Sequence, residues 1–129
     1  ERLAAGEPSL VRNLVRGALN KIQTEILVEA EGEGDRLAGD VLRVAADYMG
    51  IGVATIRSAL DPELIVIGGG VSRNLHVFFP RLVASAKAHA MNVDKTLCPI
   101  VPTVLGDDAG LLGAAAMAWE NLGRGTNSN

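Results

Sequence analysis

The sequence is poor in aromatic residues, cysteine and histidine. Its 129 residues include two Phe, one Tyr and one Trp, so Ala, Val, Leu and Ile packed around glycines must supply the volume of a core. The single cysteine, Cys98, excludes an internal disulfide, and the two histidines, His76 and His89, form no Cys/His cluster at metal-ligand spacing. We therefore predict a cytoplasmic protein in which this chain binds no metal and both histidines lie at the surface or at an interface.

Excess positive charge and long apolar runs are also missing. The formal net charge is −3, whereas a surface that binds nucleic-acid phosphates needs clustered Lys and Arg. The apolar stretches are short and interrupted by Gly or charged residues, and residues 1–7 lack the basic and apolar regions of a signal peptide. The sequence therefore predicts neither direct nucleic-acid contact nor a membrane span. The 48% of hydrophobic residues is enough for the core of one globular domain.

The first part of the chain is predicted to form two short helices and then a long one. Ser9 follows a proline and is suited to begin the first helix, and Thr24 is suited to cap a second helix that ends at Ala30. Residues 31–35 contain two Gly among three acidic residues, so we predict a loop there. Asp35 is the expected N-cap of the long helix.

The long helix has apolar residues at a spacing near 3.6 between charged ones, which is typical of a helix with one buried face. The predicted buried set is Leu37, Val41, Val44, Tyr48, Thr55, Ile56 and Leu60. Gly50 and Gly52 each weaken a helix by about 1 kcal/mol relative to Ala, so we expect both to permit a close crossing with another element. Asp61 precedes Pro62, and a residue before proline disfavours the helical conformation, so the helix is predicted to stop there.

Two segments are typical of β-strands. Residues 64–67 form a β-branched run without polar alternation, as in a strand buried on both faces of a parallel sheet. Residues 100–105 form a second candidate strand. Helices lie between them, so the predicted class is α/β, with parallel strands, right-handed crossovers and flanking helices. Because two strands make a small sheet, we expect residues 1–129 to be a single-domain fragment whose other strands lie in missing N-terminal sequence or in a partner chain.

Two further helices are predicted. One begins at Asn74 or Pro80 and ends at Ala90, with Pro80 tolerable only in the first turn. Its predicted inward side is formed by Leu75, Phe79, Leu82, Val83 and Ala86. The other spans residues 109–122, and its glycines and alanines give a smooth face that can lie against the sheet. Residues 124–129 are expected to form a disordered tail.

The glycines that follow the first strand are the most informative for function. A strand that ends in Gly68, Gly69 and Gly70 has no side chains at the carboxyl edge of the sheet, where α/β folds bind ligands. The backbone can then approach a nucleotide closely, and the N–H groups that open the next helix can face polar or anionic atoms. The stretch is neither the dinucleotide fingerprint nor a P-loop, so a tight strand-to-helix turn without a ligand is the alternative.

A second glycine-rich stretch begins at Leu105. Asp107 and Asp108 precede the last helix, where carboxylates commonly cap the helix N-terminus, and a ligand contact is the alternative for both. They lie too near a helix start to be nominated as catalytic acids. Cys98, next to Pro99, is expected at the edge of the core.

Three blocks of this sequence resemble the closing half of ROK-family proteins, which comprise bacterial glucokinases, related sugar kinases and sugar-responsive repressors. The blocks are residues 48–54 (YMGIGVA), 61–72 (DPELIVIGGGVS) and 105–115 (LGDDAGLLGAA). Their order and spacing agree with the family, and the likeness extends over about residues 6–122. Three blocks in register are a far stronger signal than the glycines alone.

The resemblance implies part of an actin-like, ribonuclease H-like ATPase domain, in which the strand and its glycines help to hold the adenosine part of ATP. The nucleotide-binding positions that it assigns are Gly68, Gly69, Gly70, Val71 and Ser72. It implies ATP and Mg²⁺ as cofactors of the complete protein and a hexose as its substrate. The family's D-x-G-x-T phosphate loop, Glu-x-Gly-His sugar motif and Cys-rich zinc motif are absent from this sequence. The catalytic aspartate and the sugar contacts are therefore expected outside this chain, which alone is not expected to be catalytic.

Three functions remain open. In the first, the parent is a glucokinase-like enzyme that transfers the γ-phosphoryl of ATP to a hexose 6-hydroxyl; the uninterrupted GGGVS and DDAGLLG runs resemble the kinase members most. In the second, the parent is a sugar-responsive transcriptional repressor with an upstream helix-turn-helix domain, and this chain is its effector or oligomerisation segment. In the third, this is a non-catalytic assembly domain with subunit contacts on the helices over residues 44–60 and 75–90. A homo-oligomer is expected.

Overall fold

The computed structural model describes residues 1–69, 74–90 and 98–125. Within them lie five α-helices and two β-strands, in the order α1 Leu10–Leu14, α2 Thr24–Gly32, α3 Arg36–Leu60, β1 Ile65–Ile67, α4 Leu75–His89, β2 Ile100–Pro102 and α5 Ala109–Gly125. Short 3₁₀ turns at Leu19–Lys21 and Gly106–Asp108 precede α2 and α5.

The first two helices follow the prediction in part. Ser9 caps α1, because its Oγ accepts a hydrogen bond from Val11 N at 3.1 Å. In α2 the predicted cap was wrong: Thr24 is itself helical, and Gln23 precedes the helix without a side-chain capping bond. α2 also continues through Gly32, so the predicted loop over residues 31–35 begins only after that residue.

Asp35 joins the N-termini of two helices. Its Oδ1 accepts from Ala38 N at 2.8 Å, which caps α3 as predicted, and its Oδ2 accepts from Leu10 N at 2.6 Å in α1. Burial acts to raise the pKa of the Asp35 carboxyl, but hydrogen bonds from Ala38, Leu10 and Ser9 outweigh it and hold the pKa below its usual value. One carboxylate therefore ties α1 to the start of α3.

The buried face of α3 differs from the predicted one. Of the predicted set Leu37 is buried, and the other six side chains are exposed, Tyr48 by 71%. The buried residues of the helix are Leu37, Ala38, Leu42, Ala46, Gly50, Val53 and Ala54. The prediction was wrong because it followed the large apolar side chains, whereas alanine and glycine make the face on which a neighbouring helix can lie closest.

α3 and α4 cross at Gly50. A Cβ added to Gly50 would lie 2.5 Å from Ser85 Cβ and 2.6 Å from Leu82 O, so the crossing has no room for any side chain. Ser85 Oγ donates a hydrogen bond to Asp47 O at 2.9 Å across the crossing. The close approach predicted for Gly50 is confirmed. The same prediction was wrong for Gly52, because a Cβ added there would meet none of the described atoms within 4 Å.

The two strands pair in parallel, with Ile65 opposite Ile100 and Ile67 opposite Pro102, which confirms the predicted parallel α/β arrangement. The predicted burial of β1 on both faces was wrong. Ile65 and Ile67 pack against the core, whereas Val66 is 54% exposed. Successive side chains of a strand face opposite sides, and α3 and α4 cover one of the two.

The core between the sheet and the helices is centred on Leu82, which is fully buried. Val53 and Ala86 complete this cluster, and Ile65, Ile67 and Ile100 are among the partly buried side chains packed against it. A neighbouring cluster joins Ala46 of α3 to Phe78 of α4. α4 therefore links α3 to both strands, which fixes where the carboxyl ends of the strands lie.

The ends of α3 and α4 show how proline is used. α3 ends at Asp61, which adopts a left-handed conformation with φ 43°, immediately before Pro62 as predicted. α4 begins at Leu75, so Pro80 lies in its second turn, and the prediction that confined it to the first turn was wrong. A proline there removes one backbone hydrogen bond of the helix. Leu82 and Ala86 are buried as predicted, whereas the side chain of Leu75 lies outside the described part of the molecule.

α5 is the least packed element. The side chains of residues 110–121 are exposed, and a Cβ added at Gly110 or Gly113 would meet nothing within 4 Å. Over the residues that the structure describes, the predicted packing of its smooth face against the sheet is therefore not formed. The helix runs through Gly125, past the predicted end at residue 122. Residues 126–129 of the predicted tail lie outside the described residues.

Candidate nucleotide-binding site

The carboxyl ends of β1 and β2 meet at one edge of the sheet. Because Ile67 lies opposite Pro102, the residues that follow each strand, Gly68 and Thr103, are also neighbours. Thr103 N donates to Ile67 O at 2.8 Å and extends the pairing by one hydrogen bond. Ligands of open parallel sheets bind at this edge, so the predicted glycine turn lies where a ligand is expected.

Gly68 is required by the packing of this edge. A Cβ at Gly68 would lie 3.0 Å from Thr103 Cγ2 and 3.3 Å from Thr103 Cβ, closer than side chains ordinarily approach. Because residue 68 is a glycine, the turn after β1 can lie directly against Thr103, the residue that follows β2.

Gly69 is required by its backbone conformation. Its φ is +91°, in the region that favours glycine. An added Cβ would meet no heavy atom of the described residues within 4 Å, so as far as they extend the space on that side of the turn is open. This exposed backbone beside open space is what a closely approaching ligand requires. The other three predicted site residues, Gly70, Val71 and Ser72, lie outside the described residues, and their role stays a prediction.

The segment after β2 forms the part of the candidate site that lies next to the glycine turn. Thr103 Oγ1 accepts a hydrogen bond from Leu105 N at 3.2 Å, and the chain turns at once, so Val104 is 97% exposed. Gly106, with φ +55°, then opens the 3₁₀ turn that leads into α5. β2 is therefore shorter than the predicted strand over residues 100–105.

The acidic pair before α5 lies in this turn. Asp107 and Asp108 are the second and third residues of the 3₁₀ turn, and Asp108 N donates to Leu105 O at 3.2 Å. Capping of α5 by their carboxylates stays a prediction. Sequence reasoning missed Thr103 altogether. The available signal was its position after Pro102, since a hydroxyl in a turn commonly accepts from the backbone N–H two residues on.

The described residues contain no cluster of side chains that would form a metal site by itself. Among them, no group of three or more His, Cys, Asp and Glu side chains is placed to hold a metal ion. His76 and His89 are exposed, and His89 Nδ1 donates to Ser85 O at 2.8 Å in its own helix. Cys98 is buried, which agrees with the position predicted for it. In the part of the chain that the structure covers, no helix combines the length and apolarity needed to cross a membrane.

Comparison with known proteins identifies relatives of this chain. The glucokinase of Thermotoga maritima is 32% identical over 115 residues, which cover 89% of this chain and 36% of that enzyme. A ROK-family glucokinase of Streptomyces griseus, solved with glucose and AMPPNP, superimposes with a TM-score of 0.73 at 29% identity, over 84% of this chain and 35% of that one. The chain thus spans about a third of the length of these relatives.

A regulator is among the structural neighbours as well. A ROK-family transcriptional regulator, a homologue of the MLC protein of E. coli, superimposes with a TM-score of 0.62 at 27% identity, over 78% of this chain and 24% of that one. The predicted actin-like, ribonuclease H-like fold is confirmed by the sugar-kinase neighbours. The family model described as "ROK family" matches residues 1–121. This chain belongs to the ROK family.

Proposed function

We propose that this chain is the C-terminal, nucleotide-side part of an ATP-dependent hexose kinase, with glucose as the first candidate substrate. The observation that carries the proposal is the turn at Gly68 and Gly69. It ends a parallel strand, exposes its backbone beside open space and belongs to a chain that superimposes on a glucokinase solved with AMPPNP. The proposed partners are the N-terminal remainder of the same protein, the nucleotide and the hexose.

The proposed chemistry asks little of this segment beyond positioning. Phosphoryl transfer depends mainly on holding ATP and the acceptor hydroxyl in line and on stabilising charge. In the proposal, Gly68 to Ser72 hold the adenosine part of ATP, and an aspartate elsewhere in the full-length protein takes the proton of the hexose 6-hydroxyl. Magnesium would accompany ATP through ligands outside the described residues.

The test is phosphorylation of glucose by the full-length protein with ATP and magnesium, measured for the wild type and for Gly69→Val. Valine at φ +91° strains the turn by about 1–3 kcal/mol, which corresponds to a rise in the KM for ATP of about ten- to a hundredfold if it is expressed in binding. The KM for glucose should stay the same. A wild type that phosphorylates no hexose would remove the kinase assignment, and an unchanged KM for ATP in the variant would remove the site assignment.

A transcriptional repressor is the second candidate, and the match to the ROK-family regulator favours it. In that case the segment would relay sugar binding or join subunits, and intact ATP contacts would be unnecessary. The two candidates make different demands on the residues before Glu1: a helix-turn-helix supports the repressor, and a phosphate loop supports the kinase. Binding of the full-length protein to DNA that is released by a sugar would establish the repressor.

Two further points belong to the proposal. The exposed apolar side chains of α3, among them Val44, Tyr48 and Leu60, support a homo-oligomer, which light scattering of the purified protein would test. A lone cysteine and the use of ATP support a cytoplasmic location, which fractionation of cells would test.

A further inference from the structure

The residue that follows β2, Thr103, contacts both segments at the carboxyl edge of the sheet. Thr103 N donates to Ile67 O at 2.8 Å, and the Thr103 methyl carbon lies 3.0 Å from where a Cβ on Gly68 would be. The backbone of the turn after β1 therefore rests on this side chain. At the next residue, Gly69, an added Cβ would meet no atom of the described residues within 4 Å.

The Thr103 hydroxyl has a separate task. It accepts from Leu105 N at 3.2 Å and so fixes the turn that leaves β2. Its methyl and hydroxyl groups thus act on different segments, the methyl on the Gly68 turn and the hydroxyl on the path toward Gly106. Serine would keep the acceptor without the methyl, and valine would keep the shape without the acceptor, so the two contributions can be separated.

We infer that Thr103 is a positioning residue for nucleotide binding. Its side chain packs against the Gly68–Gly69 turn and so holds the exposed backbone of that turn where it contacts the adenosine part of ATP. The inference rests on the proposed function. The methyl group of Thr103 acts through Gly68, and its hydroxyl acts through the turn that leaves β2. A defect here should therefore weaken nucleotide binding and leave the hexose unaffected.

The contact between Gly68 and Thr103 allows a compensating pair of substitutions. Gly68→Ala places a methyl group against Thr103, and we expect the KM for ATP of the full-length protein to rise. Thr103→Ser removes the nearest atom, Cγ2, and leaves Thr103 Cβ at 3.3 Å, a distance that a small shift accommodates. The double variant G68A/T103S should therefore recover most of the ATP affinity lost in Gly68→Ala alone.

The hydroxyl is tested by Thr103→Val. Loss of one acceptor for a backbone N–H should raise the KM for ATP about two- to tenfold, with the KM for glucose and the thermal midpoint nearly unchanged. Thr55→Val is the matched control, because the Thr55 hydroxyl donates to Ile51 O within α3, an exposed bond away from this edge. It should leave the KM for ATP at the wild-type value.

Binding of an ATP analogue by calorimetry accompanies each assay, so that affinity is known without turnover. No recovery in G68A/T103S, or variants of Thr103 that change stability and the KM for glucose as much as that for ATP, would overturn the inference. A wild type that binds no nucleotide would overturn the proposed function and this inference with it. A wild type that binds while Thr103→Val and Gly68→Ala bind equally well would overturn the inference alone.

Discussion

α3 and α5 are both helices rich in alanine and glycine, yet they differ in how they are packed. In α3, Ala46 and Gly50 face α4, and Gly50 leaves no space between the helices. In α5 the small residues face no element of the described part of the chain, and Gly113 has none of its atoms within 4 Å of the position of a Cβ. Small residues therefore permit a close approach without specifying one.

The difference lies in the partner surface. Across from Gly50, α4 presents Ser85, whose hydroxyl donates to Asp47 O, and Leu82, which fills the space beside the crossing. The hydrogen bond of Ser85 and the buried side chain of Leu82 thus stabilise the close contact that Gly50 allows. The described residues place no such surface opposite α5. The comparison makes three predictions about stability, from the largest expected effect to the smallest.

Leu82→Ala should have the largest effect. The side chain is fully buried in the cluster that joins α3, α4 and the strands, and such truncations cost about 2–5 kcal/mol of the free energy of unfolding. Leu111 of α5, 73% exposed, is the matched control, and its change to Ala should alter stability by no more than about 0.5 kcal/mol. Urea unfolding measures both. Equal losses would show that α5 is packed and break the comparison.

Gly50→Ala should destabilise the protein, and Gly52→Ala in the same helix should stabilise it. Overpacking costs about 1–3 kcal/mol, and at Gly50 the nearest atoms include the backbone carbonyl of Leu82, so we expect the upper part of that range. The gain of about 1 kcal/mol from helix propensity offsets only part of it. At Gly52 the gain stands alone. The free energy of unfolding of the two variants would decide, and a stabilised Gly50→Ala would contradict the crossing.

The third prediction concerns Asp35, whose carboxylate accepts hydrogen bonds at the N-termini of α1 and α3. Asp35→Ala should cost about 0.5–2 kcal/mol at neutral pH, and Asp35→Asn less, because asparagine caps helices well but has only one acceptor for two backbone donors. The folded pKa lies below the unfolded value of about 3.9. The carboxylate therefore contributes stability above that pH, and the contribution is lost as the pH falls toward the folded pKa.

Unfolding measured from pH 7 to pH 3 tests this. The difference between wild type and Asp35→Asn should shrink below about pH 4. Asp108→Asn, in the exposed turn before α5, is the control, with an expected change of no more than about 0.5 kcal/mol. A constant difference between wild type and Asp35→Asn across the range would show that the charge of Asp35 is not what matters.

Much of the fold was predictable from local signals. The capping residues Ser9 and Asp35 and the stop at Asp61 and Pro62 are decided by the backbone near them, and the structure follows them. The buried face of α3 could not be predicted in this way, because it depends on where α4 lies. Val66 shows the same limit: a β-branched run indicates a strand, but its burial depends on which faces of the sheet are covered.

The candidate site also has a part that local sequence predicts and a part that it does not. The glycines after β1 were recognised from their position at the end of a strand, and the structure gives distinct reasons for Gly68 and Gly69. For Thr103, the sequence next to it indicates at most the turn bond of its hydroxyl; its contact with Gly68 arises from the parallel register and could not be predicted locally. A contact between residues far apart in the chain leaves no periodic pattern.

That register also has a consequence for the order of folding. The whole of α4 separates β1 from β2 in sequence, so the strands can pair only after a long loop has been closed, an entropic cost that local helix formation does not bear. We expect the helices to form first and the edge that joins Gly68 to Thr103 to form late. During refolding, nucleotide binding should then lag behind the helical signal, and a chain that is only partly folded would have its helices but no site.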